Sequence, residues 1–326
     1  MSKYLVTGGA GYIGGVCVEE MLKKGDEVVI LDNLSVGYKE NIHQKASFYQ
    51  GSVGDSKLLD KIFAEHEISA VLHFAAFALV GESVKEPAKY FQNNLAQGLN
   101  LLDGMTRNGV KKFIFSSTCA TYGIPERSPM DETTPQKPIN PYGESKLMME
   151  KAVKWYQRAY DLKYTIFRYF NACGATTQSM EQHVPETHLI PLVFDAATGK
   201  RENITIFGTD YKTPDGTCIR DYIHVLDLID AHIRAIEYME NNPANEFNLG
   251  TGIGLSVKQI IEAVEKITGK TVPVVLGERR EGDPSELVAK AGKANKELGW
   301  IPQHSDIEDV IKSVWEATKN PPKKAS

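Results

Sequence analysis

Short apolar runs alternate with longer amphipathic stretches through the first half of the chain. The apolar runs predict strands at residues 4–6, 27–31, 47–49, 70–74, 112–116 and 164–170. Between them, apolar residues recur at helical spacing and predict helices over residues 13–24, 58–65, 88–107 and 143–159. Strands that alternate with helices are typical of βαβ units, which build a parallel sheet covered by helices on both faces. The pattern therefore predicts a doubly wound α/β domain of the Rossmann type.

The pattern becomes irregular after about residue 171, where prolines interrupt the apolar periodicity. We predict helices over residues 225–240, 257–268 and 306–318, and strands over residues 204–207, 247–249 and 272–276. The predicted organisation is a Rossmann domain over residues 1–170, to which segments at about 220–250 return, and a smaller mixed α/β lobe that comprises most of residues 171–326.

Composition narrows the class of protein. The chain has 326 residues, of which 42% are hydrophobic and 24% charged, with a net charge of −5. These values are typical of folded globular proteins, and the absence of a Lys/Arg run argues against a nucleic-acid partner. Four widely spaced cysteines form no C-x-x-C motif, and no apolar run reaches the ~18–20 residues of a membrane helix. We therefore expect a cytoplasmic protein with reduced thiols and no membrane partner.

A glycine-rich loop links the first predicted strand to the first helix. Gly8, Gly11 and Gly14 have the spacing G-x-x-G-x-x-G, which allows a tight turn and brings a helix N-terminus against a pyrophosphate. Asp32 ends the second strand about 20 residues further on, where a carboxylate accepts hydrogen bonds from a ribose and repels a 2′-phosphate. The loop and the acid together predict binding of NAD rather than NADP.

Tyr142 and Lys146 lie four residues apart and therefore on one face of a predicted helix. Such a pair arises by chance in a chain of this composition, but here it follows a strand that ends in hydroxyl residues, among them Thr118. A neighbouring ammonium and a positive nicotinamide favour the phenolate of Tyr142. We predict that Tyr142 takes a proton from a sugar hydroxyl through Thr118, while Lys146 lowers the pKa of Tyr142 and binds the nicotinamide ribose.

These residues and further segments resemble the extended short-chain dehydrogenase/reductase family, and within it the enzymes that invert C4 of UDP-hexoses. The likeness runs from Tyr4 to about Trp300. Its most specific segments are TGGAGYIG at 7–14, LDNLS at 31–35, HFAA at 73–76, VGES at 80–83, FSSTCATYG at 115–123, PYGESKLMME at 141–150, RYFNACGA at 168–175, RDYIHVLDL at 220–228, NLGTG at 248–252 and RREGD at 279–283.

The resemblance implies that UDP-galactose and UDP-glucose are interconverted through a transient 4-keto sugar, with NAD retained. It implies a homodimer formed by the helices over 88–107 and 143–159. The implied NAD contacts are Gly8, Gly11, Tyr12, Ile13, Gly14, Asp32, Asn33, Ser52, Val53, Phe74, Ala75, Asn94, Ser116, Tyr142, Lys146 and Tyr169. The implied UDP-sugar contacts, most of them in the C-terminal lobe, are Thr118, Tyr142, Phe170, Asn171, His188, Leu189, Phe207, Arg220, Arg280 and Asp283. Arg220 and Arg280 also suit a diphosphate by their own geometry.

The chain departs from the family pattern at several positions. Ser52 replaces the usual acid near the adenine, and Ala78 stands where many members have a lysine. Thr118 replaces a serine, and His188 stands where some members have asparagine. Leu287 occupies a position that is a bulky tyrosine in some members that accept only glucose, so UDP-N-acetylhexosamines stay open as substrates.

Other functions fit less well. A UDP-pentose or UDP-N-acetylhexosamine 4-epimerase is the stronger alternative, because pocket size decides between these sugars. A nucleotide-sugar dehydratase would need an acid and a base directly after Thr118, where the chain has Cys119 and Ala120. A non-catalytic NAD sensor would not need Thr118, Tyr142 and Lys146 together. No H-x-x-x-H or similar ligand spacing is present, so we predict no metal.

Overall fold

Seven parallel strands form the central sheet of the computed structural model, which describes residues 2–280 and 282–320. The strands of the chain are β1 (Lys3–Thr7), β2 (Glu27–Asp32), β3 (Ser47–Gln50), β4 (Ala70–His73), β5 (Lys112–Thr118), β6 (Lys163–Tyr169), β7 (Asn171–Cys173), β8 (Ile204–Phe207), β9 (Ile219–His224), β10 (Ala244–Leu249), β11 (Gly254–Ser256), β12 (Val274–Gly277) and β13 (Glu286–Leu287). The order in the central sheet is β10-β6-β5-β4-β1-β2-β3. The predicted doubly wound α/β fold is confirmed.

Helices cover both faces of this sheet. They are α1 (Tyr12–Lys23), α2 (Ser56–Glu65), α3 (Val80–Lys85), α4 (Pro87–Tyr90), α5 (Gln97–Arg107), α6 (Pro141–Tyr160), α7 (Leu189–Ala197), α8 (Val225–Tyr238), α9 (Val257–Thr268), α10 (Gly292–Leu298) and α11 (Ile307–Lys319). One buried cluster joins one face of the sheet to α1, α8 and α10. A second cluster joins the other face to α2, α5 and α6. The strands are apolar because they are buried on both faces.

The helix expected over residues 88–107 is not continuous. A π-helical segment, Phe91–Ala96, separates α4 from α5. Asn94 lies in this segment, and its side-chain amide exchanges two hydrogen bonds of 2.9 Å with the backbone of Phe77. π-Helical turns inside helices are frequent at functional sites, and this one turns Asn94 toward the sheet edge. Apolar periodicity does not reveal such a turn.

A smaller unit follows β6. In it β9 pairs antiparallel with β11 and parallel with β7 and β13, while β8 pairs with β12. Its core lies among α7, α9 and α11. The chain then returns to the first unit, because α8 packs on α1 and β10 pairs with β6.

Several elements of the smaller unit were not predicted. The strands β7, β11 and β13 have two or three residues, too few for a pattern. The sequence pattern does not predict α7, because Pro191 interrupts the apolar periodicity there. Proline is nevertheless tolerated in the first turn of a helix, where Pro191 lies. Within residues 2–280 and 282–320, the helices are all too short or too polar to span a membrane.

Candidate active site

The candidate site lies where the strands of the central sheet end. The glycine loop follows β1, Asp32 ends β2, Phe74 follows β4, Thr118 ends β5, and Asn171 begins just after β6. Because all these strands are parallel, their carboxyl ends meet at one edge of the sheet, where α/β folds bind their ligands. The predicted cofactor and catalytic segments are therefore brought together.

The glycine loop closes tightly over β1. Gly8 has φ +76°, and a Cβ there would lie 2.6 Å from the Ala75 nitrogen, so a side chain would collide with the segment after β4. A Cβ on Gly14 would lie 2.2 Å from the Gly8 carbonyl oxygen. The Asp32 carboxylate holds the loop by accepting hydrogen bonds from the backbone nitrogens of Ala10 (3.0 Å) and Leu34 (2.8 Å). Glycine is thus required where the loop and α1 approach each other.

Helix α6 carries Tyr142 and Lys146 in its first turns. The helix starts at this point because the Asn140 side chain accepts a hydrogen bond of 2.8 Å from the Gly143 nitrogen, with Pro141 at the first helical position. The Lys146 ammonium donates a hydrogen bond of 2.8 Å to the Ser116 carbonyl oxygen at the end of β5. The predicted pair therefore faces the strand that ends in Thr118.

Burial sets the protonation of the pair. Burial raises the pKa of Tyr142 to about 12, and the neighbouring Thr118 hydroxyl lowers it only in part. Burial also lowers the pKa of Lys146 to about 7, because the ammonium loses water. The expectation that Lys146 and a bound NAD together bring the pKa of Tyr142 toward neutrality stays a prediction, because these values describe the chain without its cofactor. Without the cofactor, desolvation is the largest effect on both groups.

Cys119 connects the catalytic end of β5 to the smaller unit. Burial raises the pKa of its thiol to about 12, the nearby Arg220 guanidinium lowers it, and the adjacent Asp221 raises it. Cys119 also raises the pKa of Tyr142. Cys119 is therefore close both to Tyr142, which is predicted to be catalytic, and to Arg220, which is predicted to bind substrate.

A buried ion pair under the site was also missed. The Arg168 guanidinium on β6 donates to the Glu150 carboxylate on α6 at 2.7 Å, and both side chains are almost fully buried, at 1% and 0% exposure. Glu150 also accepts a hydrogen bond from the Ser117 hydroxyl on β5. The pair joins α6 to β5 and β6 and thereby fixes Lys146 one helical turn away. The i, i+4 spacing of Lys146 and Glu150 was the available signal.

Several predicted cofactor residues use their side chains inside the protein. The Tyr12 hydroxyl donates to the Gly174 carbonyl at 2.6 Å, and the Tyr169 hydroxyl donates to the Ser116 hydroxyl at 2.8 Å. The Asn94 amide is bonded to Phe77, as described above. The Ser52 hydroxyl donates to the Gln97 amide oxygen at 2.6 Å. The polar atoms of these side chains are thus engaged within the protein itself.

Asp283 joins the two predicted diphosphate-binding arginines. Its carboxylate accepts from the Arg220 guanidinium at 2.6 Å and from Arg280 at 2.8 Å. The Arg280 guanidinium also lies 5.1 Å from the centre of the Phe207 ring. One carboxylate thus holds two guanidinium groups side by side, a geometry that suits a diphosphate.

The remaining predicted residues line the same region or its surroundings. Asn171 donates its amide to the Asp221 carbonyl at 3.1 Å, and Phe170 packs with Leu287. His188 and Leu189 stand at the start of α7. Of the other predicted cofactor residues, Val53 is buried, and the Asn33 side chain accepts a hydrogen bond from the Ser35 nitrogen. The Phe74 ring lies 5.2 Å from the His232 ring, measured between centres, and Ile13 is part of α1.

The fold and the site define a dinucleotide-binding enzyme of the Rossmann type with a Thr-Tyr-Lys group. The model of the NAD dependent epimerase/dehydratase family matches residues 4–250, and the chain belongs to this family. It is 51% identical over 316 residues to the UDP-glucose 4-epimerase of Streptococcus mutans serotype c, with 95% of each chain covered.

Solved structures agree with this assignment. The UDP-glucose 4-epimerase from Brucella ovis in complex with NAD superposes with a TM-score of 0.93 and 43% identity, over 96% of this chain and 97% of that one. The UDP-glucose 4-epimerase from Bifidobacterium longum in complex with NAD+ and UDP superposes with a TM-score of 0.92 and 38% identity, over 98% and 99% of the two chains.

The glycine loop and Asp32 fit NAD. Gly11 is the N-cap of α1 and, among the described residues, no side chain caps this helix end, so its first amides point toward the sheet edge. A Cβ on Gly11 would meet only the Gly8 carbonyl, at 3.3 Å, which leaves the cradle open on the side of the amides. The Asp32 carboxylate accepts two backbone hydrogen bonds and keeps lone pairs for a ribose.

Proposed function

We propose that this chain is an NAD-dependent UDP-glucose 4-epimerase that interconverts UDP-galactose and UDP-glucose through a 4-keto sugar. The observation that carries the proposal is the convergence of Thr118, Tyr142 and Lys146 at the same sheet edge as the glycine loop. Family membership and the named relatives support the reaction.

Thr118 and Tyr142 form the proton path. The Thr118 hydroxyl oxygen accepts a hydrogen bond of 3.1 Å from the Ala120 nitrogen, so its own proton is free to be donated to Tyr142 or to the sugar. Tyr142 takes the proton of the sugar 4-hydroxyl and returns it after the keto sugar has turned over. NAD supplies the hydride acceptor, the later hydride donor and a positive charge beside the phenol.

Lys146 orients the site. Its ammonium is anchored on the Ser116 carbonyl and still has two donor hydrogens for a ribose and for the tyrosine oxygen. Because both groups are buried, a charge that develops on Tyr142 is screened little and responds strongly to Lys146 and to the bound cofactor. The lowered pKa of Lys146, about 7, predicts that turnover depends on pH near neutrality.

Arg220 and Arg280 would hold the diphosphate while the sugar rotates. Asp283 fixes both guanidinium groups from one side and leaves their remaining N–H groups for phosphate oxygens. A sugar that turns about a held diphosphate presents either face of C4 to the same catalytic group. This arrangement explains how one Tyr142 serves both directions.

A 4-epimerase for UDP-N-acetylhexosamines is the second candidate. Leu287 packs with Phe170 beside the substrate residues, and leucine leaves more room there than a tyrosine would. The two substrates are distinguished by experiment rather than by the fold.

We further propose a cytoplasmic homodimer. Helix α6 exposes Met148 at 38% and Trp155 at 65%, seven residues apart and therefore on one face of the helix, and α6 lies against α5. Exposed large apolar residues on one helix face are typical of a subunit interface. All four cysteines are free thiols, three of them buried, which suits a reducing compartment.

The proposal is tested by incubating the purified protein, without added NAD, with UDP-galactose and separately with UDP-N-acetylgalactosamine, and following C4 inversion by NMR. Inversion of UDP-galactose supports the proposed function with NAD retained, and inversion of both sugars supports a dual-specific enzyme. Absence of inversion of either sugar, also after NAD is added, would overturn the proposal.

A further inference from the structure

Two histidines and two glutamates meet in the segment between β7 and α7. We call Glu181, His183, Glu186 and His188 the His/Glu cluster. The Nδ1 atom of His188 lies 2.8 Å from a Glu186 carboxylate oxygen and 3.3 Å from a Glu181 oxygen. The Nδ1 atom of His183 lies 3.9 Å from both carboxylates. One ligand atom each from Glu181, His183 and His188 lies within 4.8 Å of the others.

The hydrogen bonds of the cluster are incomplete. Among the described residues, the buried Nδ1 atom of His183 has no hydrogen-bond partner. A buried polar atom without a partner is rare in native proteins and indicates a bound water or ion. The cluster thus contains a buried His183 nitrogen whose hydrogen-bonding capacity the described residues leave unused.

Neutral imidazole nitrogens and carboxylate oxygens are the ligands of Zn²⁺ and related divalent transition metals, whereas Mg²⁺ and Ca²⁺ prefer oxygen alone. We propose that Glu181, His183 and His188 form a site for Zn²⁺ or a similar transition-metal ion, with Glu186 beside it. The ion would enter between the two Nδ1 atoms and the Glu181 carboxylate, and shifts of the side chains by about 1 Å would bring these atoms to the 2.0–2.2 Å of zinc bonds.

The site has access to solvent and a link to the cofactor loop. A cavity of about 280 Å³ is lined by Glu181, His183 and Glu186. The same segment is tied to α1, since the Ser179 hydroxyl donates to the Tyr12 carbonyl at 3.4 Å and the Thr176 hydroxyl donates to Glu19 at 3.1 Å. A bound ion would therefore brace the segment between β7 and α7, which is hydrogen-bonded to α1 next to the glycine loop.

The ion would also fix His188. An imidazole bound to a metal through Nδ1 carries its proton on Nε2, so His188 would present an N–H donor on its free side. The linear spacing of the ligands, E-x-H-x-x-x-x-H, lies outside the spacings that led us to predict no metal. The cluster becomes visible only when the loop is folded.

The competing explanation is an ion pair without a metal, in which protonated His188 donates to Glu186. The two explanations differ in metal affinity. Tag-free protein is stripped with EDTA, dialysed, and titrated with ZnCl₂ by isothermal calorimetry, with bound zinc measured by mass spectrometry. We expect about one Zn²⁺ per chain and a rise in the melting temperature with zinc, because a ligand that binds only the native state stabilises it.

The variants His183→Ala and Glu181→Gln should each weaken zinc binding by at least about tenfold, since even an outer partner of a metal ligand is worth 10–100-fold. His304→Ala, which removes an exposed histidine, should bind zinc like the unchanged protein. Cobalt should give the intense visible spectrum of a four-coordinate ion in the unchanged protein and lose it in His183→Ala.

Three results would overturn the site. They are no zinc binding by the stripped protein, equal binding by His183→Ala and the unchanged protein, or loss of binding in His304→Ala. Circular dichroism in EDTA shows whether each variant is folded. Because the readout is bound metal, loss of the site is distinguished from failure of the epimerase proposal.

Discussion

At the scale of single residues, burial acts on Tyr142 and Lys146 in opposite directions. It raises the pKa of the phenol to about 12 and lowers the pKa of the ammonium to about 7. Both shifts oppose the charged forms, so the site by itself keeps the phenol protonated. A reaction that needs the phenolate therefore depends on the bound cofactor and on Lys146 acting together.

Replacing Tyr142 by phenylalanine removes the proton acceptor and leaves the ring. We expect turnover of UDP-galactose to fall about 10²–10⁴-fold, the usual contribution of a positioned acid–base group. NAD binding should change little, because the glycine loop and Asp32 are untouched. The measurements are C4 inversion by NMR and the amount of NAD that is released on denaturation.

The matched control is Tyr238→Phe, which removes a hydroxyl that donates to Glu297 at 2.8 Å away from the site. Its turnover should equal that of the unchanged protein. Turnover of Tyr142→Phe within about tenfold of the unchanged protein would show that another group takes the proton.

Arg220 should contribute directly to UDP affinity. Hydrogen bonds to charged groups contribute about 1.5–3 kcal/mol, so Arg220→Met should raise the Kd for UDP about 10- to 100-fold. Asp283 would keep its bond to Arg280, which limits the structural damage. Calorimetry with UDP measures the change. Arg201→Met, which removes an exposed arginine, is the control, and equal affinities of the two variants would contradict the proposed contact.

At the scale of elements, the position of α6 depends on the ion pair of Glu150 and Arg168. Its carboxylate and guanidinium are buried between α6, β5 and β6, where water cannot replace a lost partner. The helix that carries Tyr142 and Lys146 is thus fixed to β5 and β6.

Arg168→Met leaves Glu150 buried without its cation. We expect the free energy of unfolding to fall by about 3–5 kcal/mol, as it does when one partner of a buried pair is removed. Urea denaturation followed by circular dichroism measures it. Arg234→Met breaks an exposed pair with Asp230 and should cost only about 0–1 kcal/mol. A similar small loss for Arg168→Met would show that α6 is held by apolar packing instead.

Sequence patterns predicted the elements unevenly. The central strands and α1, α6 and α9 were found because their apolar residues recur over enough positions to define a period. Helix α7 was not found, because Pro191 in its first turn breaks the apolar period. The π-helical segment around Asn94 was not found, because a local change of helix geometry leaves the period unchanged.

At the scale of the whole molecule, buried neutral histidines make stability depend on pH. Burial, with a smaller effect from Lys146, lowers the pKa of His73 to about 3, below the 6.5 of an exposed histidine. Between pH 6.5 and about 3 the unfolded chain therefore binds a proton that the folded chain does not. The stability from this group is complete above pH 6.5 and is lost as the pH falls, by about 1.4 kcal/mol per pH unit.

Other groups, Glu181 among them, also contribute to this slope. The prediction therefore concerns the difference in slope between a variant and the unchanged protein. His73→Asn should reduce the slope of unfolding free energy against pH between 6.5 and 4 by about 1.4 kcal/mol per unit. Gln44→Asn, which changes an exposed uncharged side chain, is the control and should leave the slope unchanged. Urea denaturation at several pH values gives both slopes, and equal slopes for His73→Asn and the unchanged protein would contradict the prediction.

The proposed homodimer is also tested on the whole molecule. Trp155→Glu places a charge on the exposed aromatic face of α6 and should shift the protein from dimer to monomer in sedimentation velocity at micromolar concentration, because burying the charge would cost several kcal/mol. The control is Ile301→Glu, which places the same charge outside α6 at a position that is 62% exposed. This variant should remain a dimer. An unchanged protein that sediments as a monomer would refute the dimer itself.

The sequence by itself determined the class of fold and the cofactor and predicted the catalytic residues, because local signals carry them. The glycine loop and the acid each lie at the end of a strand. The tyrosine and the lysine lie one helical turn apart. Tertiary structure decided what depends on how the loops and elements pack against one another. It joined Arg220 and Arg280 through Asp283, buried Glu150 against Arg168, and gathered the His/Glu cluster. It also decided the protonation of Tyr142, because desolvation depends on everything packed around a group and not on its neighbours in sequence.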